Sequence, residues 1–250
     1  MNPKGTRTMK PGEVIINNRI SSGLLSWIAA GALLCGISAQ AQHGHLNAGA
    51  VSPDAGAQLL WVNGIVFATN SGYVQNMNYS TSGTWAGYYN SGPTLTSLAN
   101  SGDSPSPLAA LGGAFLNVQI TLISAPDGAS FAFWDTGSLT PTYVLGVGNS
   151  TPLVALSDET LGAGNPGADP FGHIHGRRFS GTLEGDYIVA LQLFDTSDYG
   201  PGATPLHTPS DVLYVMFRGV APVVPEPATG VLLGLGSLAF VLARSSRKRF

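Results

Sequence analysis

Cysteine is almost missing from this chain. Its 250 residues include a single one, Cys35, set in the apolar run Leu24 to Ile37. A small-x-small cleavage pattern, Ala39-Gln40-Ala41, follows that run, so the released chain would carry no thiol at all. Disulfides and thiolate chemistry are thereby excluded, and stability has to come from a buried core or a bound ion. Basic residues are scarce where a partner would meet them. Between Gln42 and Val224 only Arg177, Arg178 and Arg218 are cationic, against twelve Asp and Glu, a charge of −9. Binding of a phosphate backbone requires the opposite balance, so nucleic acid is excluded as a partner. A sustained helical stripe is missing too, as are a Gly-x-Ser-x-Gly elbow, a phosphate loop and a dinucleotide fingerprint. Asp135-Thr-Gly-Ser138 matches the aspartic protease triplet, but no second Asp-Thr-Gly supplies the paired carboxylate, and the run reads as a strand entering a turn. No enzyme is expected.

What the middle of the chain does contain is glycine, proline, asparagine and serine, punctuating short apolar runs of period two. Nine strands are expected: Gln58–Asn63, Ile65–Thr69, Trp85–Tyr89, Ala114–Ile123, Ser130–Trp134, Thr142–Val147, His173–Ser180, Asp186–Phe194 and Val212–Arg218. That pattern predicts an all-β domain over residues 42–223, a single antiparallel β-sandwich of jelly-roll or immunoglobulin-like type. Phe115, Val118, Ile120, Leu122, Phe131, Phe133, Tyr187, Val189, Leu191, Leu193, Leu213, Val215 and Phe217 are its expected core, with Leu116 and Val144 as secondary candidates. Alternation sends Ile188, Ala190, Gln192 and Phe194 to the other face of their strand. Residues Asn90 to Ala110 and Ser157 to Pro170 read as long exposed loops. Tyr73, Tyr79, Trp85, Tyr88 and Tyr89 form an aromatic group among polar residues, read as part of the framework in preference to a sugar-binding face.

Both ends of the chain carry sorting information. Residues 1–41, basic up to Arg19, then apolar, then Ala39-Gln40-Ala41, form a secretory signal peptide cut after Ala41 by signal peptidase. At the other end Pro225-Glu226-Pro227 precedes an apolar stretch ending at Ala243, and Arg244, Arg247, Lys248 and Arg249 close the chain. Residues 224–250 resemble the PEP-CTERM sorting signal of Gram-negative bacteria. That resemblance implies transient retention in the inner membrane, processing by an exosortase near Pro225-Glu226-Pro227, and delivery to the cell surface or extracellular matrix. The residues agree with it: a helix from Ala228 to Ala243 would span about 24 Å, a short membrane crossing, and basic residues after it would hold that end in the cytoplasm.

The densest chemistry lies in the histidines. Four of the five fall in two His-x-His units, His43-Gly44-His45 and His173-Ile174-His175; the fifth is His207. On a strand, residues i and i+2 share a face, so each unit presents two imidazoles side by side. Neutral imidazole is a ligand for zinc, with copper as an alternative. The expected ligands are His43, His45, His173 and His175, with His207 or Asp169 as substitutes. Asp158 and Glu159 belong to the loop leading into the second unit, and Asp195, Asp198 and Asp211 offer carboxylates of the kind calcium takes. His43-Gly-His45-Leu-Asn-Ala-Gly49 with Leu59-Leu60-Trp61, together with His173, His175, Phe179, Gly185 and Tyr187, is similar to a group of surface-anchored bacterial proteins under the zinc-uptake repressor. The resemblance implies zinc capture or buffering at the envelope, with a metal-uptake system as partner. The other function these features suit is a structural component of the extracellular polysaccharide matrix.

Overall fold

The computed structural model describes residues 44–221, and these are almost entirely strand and turn. In chain order the strands are β1 (His45–Ala50), β2 (Leu59–Trp61), β3 (Gln75–Tyr79), β4 (Tyr89–Ser91), β5 (Thr94–Ser97), β6 (Leu116–Ser124), β7 (Phe131–Trp134), β8 (Tyr143–Leu145), β9 (Val154–Ala155), β10 (Gly172–His173), β11 (Arg178–Gly181), β12 (Gly185–Asp195) and β13 (Leu213–Val220). A four-residue helix, α1 (Gly64–Phe67), and two short 3-10 turns complete them. The all-β expectation holds. No helix among the described residues is long and apolar enough to cross a membrane.

The strands make two sheets. One has the order β10-β5-β1-β2, the other β8-β7-β11-β4-β3-β13-β12-β6-β9. Pairing is mixed, not wholly antiparallel as the alternation suggested: β1 runs parallel to β5, and β13 parallel to β3. Parallel neighbours need a long crossover. The chain between Ala50 and Thr94 supplies one by building β2, α1, β3 and β4 before it returns to the first sheet.

The core is organised around β12. It pairs with β13 on one side and β6 on the other, and Tyr187, Val189, Leu191 and Leu193 are all buried on one face. Val118, Ile120 and Leu122 of β6 and Val215 and Phe217 of β13 are buried with them. Phe131 stacks near Phe179, Tyr187 and Phe217 at centroid separations of 6.0, 5.8 and 5.2 Å. Each such side chain removed from water contributes roughly 1.5–3 kcal/mol. Leu46, Leu59 and Leu95 of the small sheet join the same apolar cluster.

Several expectations need correction. Phe115 and Leu213 are half-buried, and of the two secondary core candidates Leu116 is buried as expected while Val144 is exposed. Ile65–Thr69 is not a strand; a helical turn puts Gly64 and Phe67 inward and leaves Ile65 exposed, an i, i+3 arrangement that alternation cannot give. Trp85 lies in the turn before β4. The stretch Asn90–Ala110 is not one exposed loop, since it holds the end of β4 and all of β5, and Ala109 and Ala110 are buried. His173–Ser180 is two strands in two sheets, separated by a turn in which Gly176 adopts φ +89°, a conformation that favours glycine. The expected aromatic group is dispersed into packing roles: Tyr73 against Phe67, Tyr79 against Tyr89, and Tyr88 against Trp134.

Candidate functional site: an imidazole cluster on the small sheet

β5 is the element that assembles the site. Its sequence, Thr-Leu-Thr-Ser, pairs in parallel with β1 so that His45 faces Thr94, and antiparallel with β10 so that His173 faces Thr96. The two histidines thus flank one strand from opposite sides. Their rings meet with centroids 4.8 Å apart and planes at 69°. His175, in the turn that follows β10, places its ring 4.3 Å from that of His173. Three of the expected ligands therefore come together. Two imidazoles on one tetrahedral zinc, with nitrogens about 2.0–2.1 Å from the ion, have ring centres about 5 Å apart.

Local bonds hold the His45 ring and the backbone around the cluster. The His45 Nδ1 lies 3.3 Å from the Thr96 hydroxyl. Asn63 fixes the backbone of β1 by donating to the His45 carbonyl at 2.6 Å and accepting from the Asn47 N–H at 2.9 Å. The Thr136 hydroxyl donates to the His175 carbonyl at 2.7 Å and sets the turn. Gly172 lets β10 approach the loop beside it: a Cβ there would stand 1.8 Å from the Leu156 carbonyl oxygen. The Nε2 of His173 is buried without a hydrogen-bond partner. Burial, then the neighbouring His175 and His45, lowers the pKa of the His173 imidazole from its ordinary value and favours the neutral ring.

Other expected ligands are engaged differently. Both ring nitrogens of His207 are taken: Nε2 accepts from the Leu111 N–H at 2.8 Å and Nδ1 donates to the Ala57 carbonyl at 2.9 Å. Asp169 accepts from the Asn100 and Phe171 backbones at 3.0 Å and from the Ser101 hydroxyl at 2.6 Å. Burial raises its pKa, but these bonds outweigh that effect and hold the carboxyl below the usual range. Asp158 is occupied by the Thr160 hydroxyl and N–H. Asp195 is buried and accepts from the Phe115, Ser197 and His207 N–H groups and the Ser197 hydroxyl; Asp211 takes the Gln58 amide. Among the described residues no three His, Cys, Asp or Glu side chains are arranged as a formed metal site. His43, Ala41, Pro225, Glu226, Pro227, Arg244, Arg247, Lys248 and Arg249 lie outside the described residues, as do the signal peptide and the C-terminal apolar stretch. Sequence reasoning missed Thr96 and Asn63, because neither falls in a recognisable motif; only the strand pairing reveals them.

Comparison with known families finds one match. Residues 223–248 match the PEP-CTERM protein-sorting motif. That match marks an exported protein processed by an exosortase. It covers the chain end only and says nothing of residues 44–221. No curated protein and no solved structure matches the chain. The likeness to zinc-regulated surface proteins is not among the matches found, and it gains no support.

Proposed function

We propose that this exosortase-sorted protein carries, on its exported β domain, a binding site for a divalent transition metal, zinc before copper, built on His45, His173 and His175. One observation carries the reading: three imidazoles from two distant parts of the chain converge beside the small sheet, and the middle one, its pKa lowered by burial and by its neighbours, has an unpartnered nitrogen. Neutral nitrogen is the form that ligates zinc, and small rotations about the side-chain bonds would turn ring contacts into a shared set of lone pairs. His43 is the sequence's candidate for a further ligand. The role is capture or buffering of metal at the surface of a Gram-negative cell, where a metal-uptake system would receive it. The role proposed is binding, without a catalytic step. The same reading takes the two sheets as layers of one sandwich, supported by the single apolar cluster that draws on both.

The test is metal content. Full-length protein purified in nonionic detergent and dialysed against trace zinc should retain about one ion per chain by mass spectrometry. The triple variant His45→Ala/His173→Ala/His175→Ala should retain none. Zinc retained equally by both proteins would reject the site. A wild-type protein that takes up none would favour the other reading, a structural component of the polysaccharide matrix, which the lack of a formed three-ligand group among the described residues suits.

A further inference from the structure

The described residues include three cations, and two of them are paired: Arg177 with Asp135 at 2.9 Å and Arg218 with Asp186 at 2.5 Å. Arg178 is the exception. No carboxylate among the described residues lies within ion-pair distance of it, although acidic residues outnumber basic ones twelve to three there. Its guanidinium is held instead over the Trp85 ring, 4.8 Å from the centroid. A planar cation laid on an aromatic face is oriented without being neutralised.

That guanidinium borders a cleft of about 120 Å³ walled by Gly92, Pro93, Thr94, His175 and Arg178. Gly92 makes room for the Arg178 side chain: a Cβ at this position would stand 3.0 Å from the Arg178 Nη1 and 3.2 Å from its Cδ. Arg177 lines the same cleft from the buried side. Asp135 takes its Nε and the Ala155 carbonyl its Nη2, while its Nη1 is buried without a hydrogen-bond partner. A buried donor without a partner is costly, and this one belongs to a residue that lines the same cleft as Arg178.

We propose that this cleft binds a carboxylate, clamped by the Arg178 guanidinium with the His175 side of the cleft as its opposite wall. A fork of two N–H donors matches the two oxygens of a carboxylate. A phosphate dianion would bring twice the charge to a domain of net −9 in which Arg178 is the one cation among the described residues without a carboxylate partner. The carboxylate would come from a free organic acid or from a uronic-acid unit in an acidic polysaccharide. This site does not rest on the metal reading: its clamp is Arg178, and its assay is run without metal.

Calorimetry on the full chain in detergent, with buffers passed over chelating resin, tests it. Glucuronate should bind, neutral glucose should not, and inorganic phosphate should bind at least ten-fold more weakly than glucuronate. Arg178→Gln should lose ten-fold or more in glucuronate affinity, and Arg178→Lys several-fold, because the charge remains while the fork is gone. Gly92→Val should also abolish binding by filling the cleft, which separates the site from a general effect of charge; circular dichroism confirms that each variant is folded. Oligogalacturonate binding ten-fold tighter per chain than glucuronate identifies the polymer as the source, and equal affinities identify the free acid. Glucuronate binding unchanged in Arg178→Gln, or matched by glucose or phosphate, overturns the proposal. The variant His45→Ala/His173→Ala should keep glucuronate binding even where it loses zinc.

Discussion

His45 and His173 stand with ring centroids 4.8 Å apart although one belongs to β1 and the other to β10, because β5 lies between those strands and pairs with both. The contact has a consequence for pH. Burial and two neighbouring imidazoles lower the folded pKa of His173, so the unfolded chain binds its proton more readily. Stability from this group is therefore present above the unfolded value, about 6.5, and is lost as pH falls through it toward the folded value. Urea midpoints measured from pH 7.5 to 5 should decline more steeply for the wild type than for His173→Gln. Parallel declines would show that the neutral ring contributes nothing.

Tyr187 supports the turn between β11 and β12. Its side chain is fully buried, and its hydroxyl donates to the Leu183 carbonyl at 2.7 Å while accepting the Leu183 N–H at 2.9 Å. Burial raises the pKa of this phenol, so it stays a donor across the working range. Tyr187→Phe keeps the ring and leaves both Leu183 groups unpaired, at a cost of about 1–3 kcal/mol. The thermal midpoint should fall by several degrees with zinc content unchanged.

The largest steric effect should come from Gly172→Ala. The added methyl would overlap the Leu156 carbonyl oxygen, a backbone atom that cannot turn aside, so β10 has to move away from the loop it packs on. The expected loss is about 3 kcal/mol, the upper range for overpacking. Because His173 is the second residue of β10, zinc retention should fall as well. A variant as stable as the wild type and fully loaded with zinc would contradict the packing described for this strand.

How far the sequence disclosed these features depended on what kind of residue carried them. β6 alternates Leu, Val and Ile with Asn, Gln and Thr, and its buried set followed from period two alone; in β12, apolar at nearly every position, the same period picked out Tyr187, Val189, Leu191 and Leu193. β1, with Asn, Ala and Gly, and β3, in which Met77 is the one buried side chain, carry no such signal; their places are set by backbone pairing to distant strands. The His-x-His units were visible as spacing, and the geometry joins three of the four expected imidazoles. What spacing could not show was the break at Gly176, which sends Arg178 into the other sheet and leaves His175 in a turn. Spacing set His207 apart from the pairs but could not show what occupies that ring, because its partners, Leu111 and Ala57, are backbone groups whose side chains announce nothing.

His207 supplies the sharpest separation of structure from ligation. It is buried, and its two ring nitrogens join the Leu111 N–H to the Ala57 carbonyl, tying the segment before β6 to the approach of β2. His207→Ala would strand a buried donor and a buried acceptor and leave a cavity, so the expected cost is about 2–4 kcal/mol. Zinc retention in the folded variant, measured at a temperature well below its midpoint, should match the wild type. His173→Ala should do the reverse, emptying the site with a smaller effect on the midpoint, since its Nε2 makes no hydrogen bond to lose. Zinc lost from His207→Ala while the fold persists would make that histidine a ligand and displace the cluster from its assigned role.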